Sequence, residues 1–347
     1  MTNGLAADKS GSSEHFVCLR SGGTIADTQV CGTTYTRQGW GSQGGVLYVS
    51  SGTVTNCQVF ANRSRDATCS ALTLDGADAL AVDCDVYGNT GNGDGFSRVA
   101  GSGGASILSG GGRLVRCRVT GNKNNASTGY YTGGLCVAGG DALVDCCVIT
   151  NNQSGFDANG LTTAVAGGVL IYGKATLRNT LVAGNRLTGV TTAKITVGGG
   201  VLVTSKDAKV ENCTIADNTL DGACCEGAGL RLKNASSVVN CIVWNNGGTP
   251  AGGEWMLGNV SNETASVTHT CTTPLAEGEG NTDRDPKLKA KKGYLIRDSS
   301  PCVNAGDPTG WTADDVDLLG NPRLRTGTTI DMGCYQAALQ GLLLMVR

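Results

Sequence analysis

Charge is scarce in this 347-residue chain: 16% of residues are charged and the formal net charge is −2. A near-neutral chain has no field to gather nucleic acid or an anionic lipid surface, and neither is expected as a partner. Aromatics are few, at 5%, and histidine is almost missing, with His15 and His269 alone. No paired CxxC…CxxC spacing accompanies them, so a zinc site has little support. No stretch approaches the ~20 apolar residues of a membrane-spanning helix. The opening residues MTNGLAADKSGSSEH lack the apolar core of a signal peptide. Either the chain has been trimmed of a leader or upstream domains, or export does not use that route.

What is abundant is glycine, 54 residues, and cysteine, 16. So many cysteines usually mark a disulfide scaffold, but their placement points elsewhere. NCTIADN (212–218) recurs as NCQVFAN (56–62), DCDVYGN (83–89), RCRVTGN (116–122), DCCVITN (145–151) and NCIVWNN (240–246), with degenerate copies NTLVAGN (179–185) and DTQVCGT (27–33). Counted from the Cys position, the copies sit at Thr28, Cys57, Cys84, Cys117, Cys146, Thr180, Cys213 and Cys241, at intervals of 29, 27, 33, 29, 34, 33 and 28 residues. Two residues on stands Val30, Val59, Val86, Val119, Val148, Val182, Ile215 or Val243. Five residues on, seven copies carry Asn: Asn62, Asn89, Asn122, Asn151, Asn185, Asn218 and Asn246. The chain is a tandem repeat protein.

Upstream of most copies lies an apolar run opened by glycines: GGVLYV (44–49), GGLCV (133–137), GGVLIY (167–172), GGGVLV (198–203) and GAGLRL (227–232). Its alternation is that of a strand, with Val46 and Tyr48, Val169 and Ile171, and Val201 and Val203 on one side. Leu47, Cys136, Leu170 and Leu202 then form an outward apolar stripe, which predicts cover by a loop or a protein interface. Each repeat is read as two short strands about a bend of six or seven residues, then a variable loop. The spacing apolar-x-x-Cys-x-Val-x-x-Asn also fits a leucine-rich repeat. Return segments such as TGNGDGFSRVAGSGG oppose the helix that fold needs. The expected fold is therefore all-β: a right-handed parallel β-helix of about eight turns, spanning roughly 38 Å at ~4.8 Å per turn.

In such a coil equivalent residues stack. The Cys and Val columns point inward, the thiols forming a buried, reduced file of small apolar groups. The Asn column occupies a bend, its amides bonded to the turn and to each other. Cys147, Cys224 and Cys225 lie outside the file and are the more reactive candidates. Residues 1–14 are set apart as an N-terminal segment, 15–247 as the repeats, 248–336 as irregular last turns and a cap, and 337–347 as an apolar tail laid against that cap or against a partner.

The segment 278–336 contains GNTDRDP, YLIRDSSPCVNAGD, DLLGNPR and DMGCYQ. These phrases resemble the closing segment of bacterial secreted or surface proteins of the parallel β-helix (pectin-lyase-like) class. The repeats are similar to those of chlamydial polymorphic outer-membrane proteins, with Val or Ile mostly replacing Phe. Leu319, Cys334 and Gln336 depart from the usual phrases. The resemblance implies a secreted or surface location and a cap over one open end of the coil, where bare strand edges invite aggregation. It does not choose a function, because the fold hosts lyases, hydrolases, adhesins and inert stalks.

Three functions are weighed. A polysaccharide lyase or glycoside hydrolase needs clustered carboxyl groups about 5–9 Å apart, and Asp83 and Asp85, with Arg116 and Arg118 on the next strand, are the catalytic candidates. They are equally a surface ion-pair group. A carbohydrate-binding module needs outward aromatics, here Phe60, Tyr87 and Trp244 in one column. A scaffold or adhesin-like surface protein, binding a carbohydrate or a host or surface protein, needs only coil and cap, and this non-catalytic reading is preferred. Asp307, Asp314, Asp315, Asp317 and NGDG (92–95) carry oxygens suited to Ca²⁺ but lack a full loop pattern, so no metal or other cofactor is assigned. Cys302 and Cys334, both borne on loops, are the pair chosen for a disulfide.

Overall fold

A computed structural model describes residues 5–6, 15–35, 44–64, 69–91, 101–125, 129–155, 162–190, 196–222, 227–234, 236–248, 255–257, 265–324 and 328–337. The calls on NGDG, Cys224, Cys225 and the tail beyond Ala337 fall outside these residues.

The chain is an all-β solenoid of parallel strands, and the one helical turn among the described residues is the 3-10 segment Ala290–Lys292. That excludes the leucine-rich repeat. Three long sheets wrap the core. Sheet one has nine strands, from His15–Leu19 to Trp255–Leu257; sheet two has nine, from Thr24–Ala26 to Ser266–Thr268; sheet three has ten, from Leu5–Ala6 to Cys271–Thr272. A seven-stranded and a four-stranded sheet complete the circuit. Every paired neighbour comes from the preceding or following turn, so the ladder bonds run along the solenoid axis.

Each repeat holds one strand more than expected. The supposed bend before Cys57 contains Gly52–Thr55, a strand of sheet two. Its inward residues form a file three positions ahead of the Cys: Val54, Ala81, Leu114, Val144, Leu177, Val210, Val238 and Val267. The apolar-x-x-Cys spacing was this strand's signal.

Sheet three shows why Asp or Asn precedes so many of the cysteines. The residue before the Cys turns the corner in the left-handed region: Asp27, Asn56, Asp83, Arg116, Cys146, Asn179, Asn212, Asn240 and His269 all have φ between 46° and 57°. Asn and Asp tolerate that conformation better than most residues. A second left-handed corner four residues past the Cys position, at Gly32, Gly88, Gly121 and Gly184, closes the three-residue strand.

The file at the corner is more polar than its cysteines suggest. Each thiol donates to the carbonyl two residues back, at 3.2–3.3 Å for Cys57, Cys84, Cys117, Cys147, Cys213 and Cys241. Thr180 Oγ1 does the same at 2.7 Å and accepts from Cys147 N at 3.3 Å. A hydroxyl there keeps both of the hydrogen bonds a thiol makes, so Thr can interrupt the column. The Asn ladder has the expected form. From Asn62 to Asn218, each Nδ2 donates to the next Oδ1 at 2.9 or 3.0 Å and to a carbonyl of the turn before. The same Oδ1 also accepts a backbone N–H, so the buried amides are paired.

Two registers differ from the reading of the sequence. In DCCVITNN the file passes through Cys147, Ile149 and Asn152, one residue later than Cys146, Val148 and Asn151. Val119 pairs with Ile149, and Asn122 bonds Asn152. Cys147 is thus in the column and Cys146 turns the corner outside it. In GGVLYV, Leu47 aligns with Leu135, Val169 and Val201 and points into the core, whereas Tyr48 falls in the outward column with Cys136, Leu170 and Leu202. That outward stripe is covered, as expected: Cys136, Leu170 and Leu202 pack with Ala164 and Ala166 of the four-stranded sheet and with Tyr130 and Tyr172.

The closing segment is present, but most of it lies along the side of the coil. Ala276 enters the solenoid core, and Asn281 bonds Thr270 N and Val267 O, closing the last turn. The chain then runs back over the outer face of sheet three. There Cys334 and Tyr335 pack on Val148, Leu181 and Ala183, while Met332 packs on Ile242.

Candidate functional site

Among the described residues, the outer face of sheet three divides into a covered half and a bare half. In the bare half the outward columns read Gln29, Gln58, Asp85, Arg118 and Cys31, Phe60, Tyr87, Thr120. Gln29 Nε2 donates to Gln58 Oε1 at 3.1 Å, continuing the strand register in side chains. All four catalytic candidates are here and come together in pairs. Arg116 grips Asp83 with two bonds, Nε to Oδ1 and Nη2 to Oδ2, both 2.8 Å. Arg118 stands 3.8 Å from Asp85.

The paired geometry has a chemical consequence. Bonded through both oxygens, the Asp83 carboxyl is held below its ordinary range by the Arg116 guanidinium. A general acid for glycosidic cleavage needs the opposite, a carboxyl raised toward neutrality by an apolar pocket or a like charge. Asp83 and Arg116 also occupy left-handed corners, so their placement has a conformational cause. Arg116 and Arg118 are exposed, and the pairs are of the kind that contribute little to stability.

Phe60 and Tyr87 stack face to face, with centroids 4.9 Å apart and planes 2° from parallel. The 4.7–4.9 Å spacing of neighbouring strands imposes that separation. Trp244 shares their column but does not join them: Thr120, Thr150, Ala183 and Ala216 intervene. Five strand steps place it roughly 24 Å away, beside the closing segment.

In the covered half, the closing segment grips the corner column. Arg323, fully buried, reaches through to donate to Asn179 Oδ1 at 2.7 Å, and its guanidinium lies under Trp311. Burial lowers its pKa. Asn212 Nδ2 donates to Asp331 O, and Asn240 exchanges bonds with both the N–H and the carbonyl of Asp307. Gly333, at φ 88°, comes close to Ile242 and Thr214, where any Cβ would collide. The phrases DLLGNPR, VNAGD and DMGCYQ thus supply the residues that dock this segment, a role the sequence reading did not give them.

The acidic residues of the segment are committed to its turns. Asp317 accepts from the N–H groups of Leu319, Asn321 and Gln336, Asp315 from Thr312, and Asp307 from Thr309. The Thr309 hydroxyl and N–H hold the Asp307 carboxyl below its ordinary range. Among the described residues no group of three or more His, Cys, Asp or Glu is placed to hold a metal ion. Cys302 and Cys334 are free buried thiols, so the disulfide is not formed. They lie in separate apolar clusters, with Ile242 and Met332 and with Leu181 and Tyr335 respectively. Among the described residues no helix is long and apolar enough to cross a membrane.

No protein-family model, curated protein or solved structure matches the chain.

Proposed function

We propose that this is a non-catalytic β-helix of the cell surface or secreted space, related to bacterial pectin-lyase-like repeat proteins. Its bare half of sheet three serves as an adhesin-like face for a carbohydrate or a surface protein. The observation that carries this reading is the parallel Phe60–Tyr87 stack beside a carboxylate locked by arginine. Stacked rings offer a flat apolar platform of the kind that anchors sugar rings or partner side chains. The neighbouring Asp83 lacks the raised pKa of an acid catalyst.

The enzymatic alternative, a polysaccharide lyase or glycoside hydrolase, draws on the meeting of Asp83, Asp85, Arg116 and Arg118 on adjacent strands. Incubation with a panel of acidic polysaccharides separates the two. We expect no unsaturated or reducing-end product from the wild-type chain, and binding to a glycan or cell surface that Phe60→Ala/Tyr87→Ala abolishes. Product that disappears in Asp85→Asn would establish the enzyme and sink the preferred reading.

A further inference from the structure

A cleft of about 560 Å³ opens between the coil and the closing segment, apart from the bare half of sheet three. Its coil wall is the half-buried ring of Trp244 with Asp217 and Asn245, two equivalent corner residues on successive turns. The facing wall carries Asp285, Lys287 and Arg297.

The walls are held in place by side-chain bonds. Tyr294 Oη donates to Asp217 Oδ2 at 2.8 Å, and Asn245 Nδ2 donates to Asp217 Oδ1. Lys287 Nζ donates to Ser299 O at 2.8 Å, and the Lys287 N–H to Asp285 Oδ1 at 2.8 Å. These contacts arrange the polar groups before any ligand arrives, which lowers the entropy lost on binding.

The chemistry of the lining narrows the ligand. Its volume falls in the ~300–1,000 Å³ range of small-molecule sites, yet it lacks the mostly apolar lining usual for them. Two carboxylates, Asp217 and Asp285, face two cations, Lys287 and Arg297, so the cleft has no net charge to draw an ion of either sign. What it offers is one flat indole and a surrounding set of donors and acceptors. A neutral molecule rich in hydroxyls with one C–H face matches that set. We propose that this cleft is a saccharide-binding site in which Trp244 stacks on a sugar ring while Asp217, Asp285 and Arg297 bond its hydroxyls. It does not rest on the Phe60–Tyr87 face.

Isothermal titration of the full chain with cellobiose, lactose and N,N′-diacetylchitobiose tests the proposal, with digalacturonate and spermidine as charged comparators. At least one neutral disaccharide should bind saturably. Arg297→Ala should weaken it at least about tenfold, the loss expected for one good contact. Trp244→Phe should weaken it similarly, with its fold checked by a thermal melt. Lys209→Ala, at an exposed position of sheet two outside the cleft, should leave it unchanged. Arg297 is exposed, so its variant folds and keeps the test decisive. No saturable binding by any neutral disaccharide, binding indifferent to Arg297→Ala, or preference for a charged comparator would overturn the assignment.

Discussion

One sheet carries two different surfaces. Toward the N-terminal turns, the outer face of sheet three presents Gln58, Asp85, Arg118 and the Phe60–Tyr87 stack. Toward the C-terminal turns, the same columns become Leu181, Thr214, Ile242 and Ala183, Ala216, and the closing segment lies over much of that face. Inside, both halves carry the same thiol file and Asn ladder. The inward pattern therefore specifies the coil, and the outward pattern specifies what lies against it. A run of apolar outward residues marks the docking half, and its loss marks the half that the closing segment leaves bare.

Equivalent positions give the sharpest test of that contrast. Leu181→Ala, beneath Cys334 and Tyr335, should cost about 2–4 kcal/mol, because the site cannot collapse around a docked segment. Gln58→Ala, in the same column of the bare half, should stay within about 0.5 kcal/mol. Denaturant melts of the two variants check this. Equal effects would mean that the closing segment contributes no packing.

Next in size is the register of the fifth repeat. Asn152 donates to Val119 O and Asn185 Oδ1 and accepts from Asn122. Asn152→Ala leaves several buried groups unpaired and should cost about 2–3 kcal/mol. Asn151 is exposed at a left-handed corner with φ 56°, and Asn151→Gly should be neutral within about 0.5 kcal/mol. A larger loss from Asn151→Gly would restore the register first read from the sequence.

A shared effect comes from pH. Cys84, bonded in the thiol file beside Cys117, is pushed up from 9.0 to about 12, and burial pushes Cys146 and Cys334 up to about 12. These folded-state values lie above the unfolded one. The stability they confer is therefore complete below pH about 9 and lost as pH rises through 12, at about 1.4 kcal/mol per pH unit for each thiol. Urea melts between pH 7 and 11 should be flat at first and then fall. A rise above pH 9 would contradict the burial of these thiols.

The coil was legible because its signals are local and repeated. The Val/Ile and Asn columns recur eight and seven times in the sequence, and register noise in one copy cannot erase them. The slip of one residue came from DCCVITNN, where both marker residues are doubled and either pair fits the motif. The middle strand was hidden because its inward residues are few and often small, such as Ala79 and Ala81 or Ala142 and Val144, and were read as part of the spacing before Cys. The docked segment could not be seen at all in local pattern: Arg323 meets Asn179 across 144 residues. The one local trace of its docking is that Leu181 and Ile242 are apolar in an outward column, a signal the sequence reading did not use. Of the candidate site, the Asp–Arg pairs and the Phe60–Tyr87 stack follow directly from the repeat register. Trp244 stands further along the same column, and the closing-segment residues that surround it there are invisible to the repeat.

Native-state thiol labelling, resolved by mass spectrometry, tests the two-surface account most directly. Cys18 is exposed and should label first. Cys146, turned outward under Val316 and Asp317, and Cys334 should label next, together, when the closing segment releases. Cys57, Cys84, Cys117, Cys147, Cys213 and Cys241 should label only on global unfolding. Labelling of Cys147 ahead of Cys146, or of the file in the native protein, would contradict both the register and the docked segment.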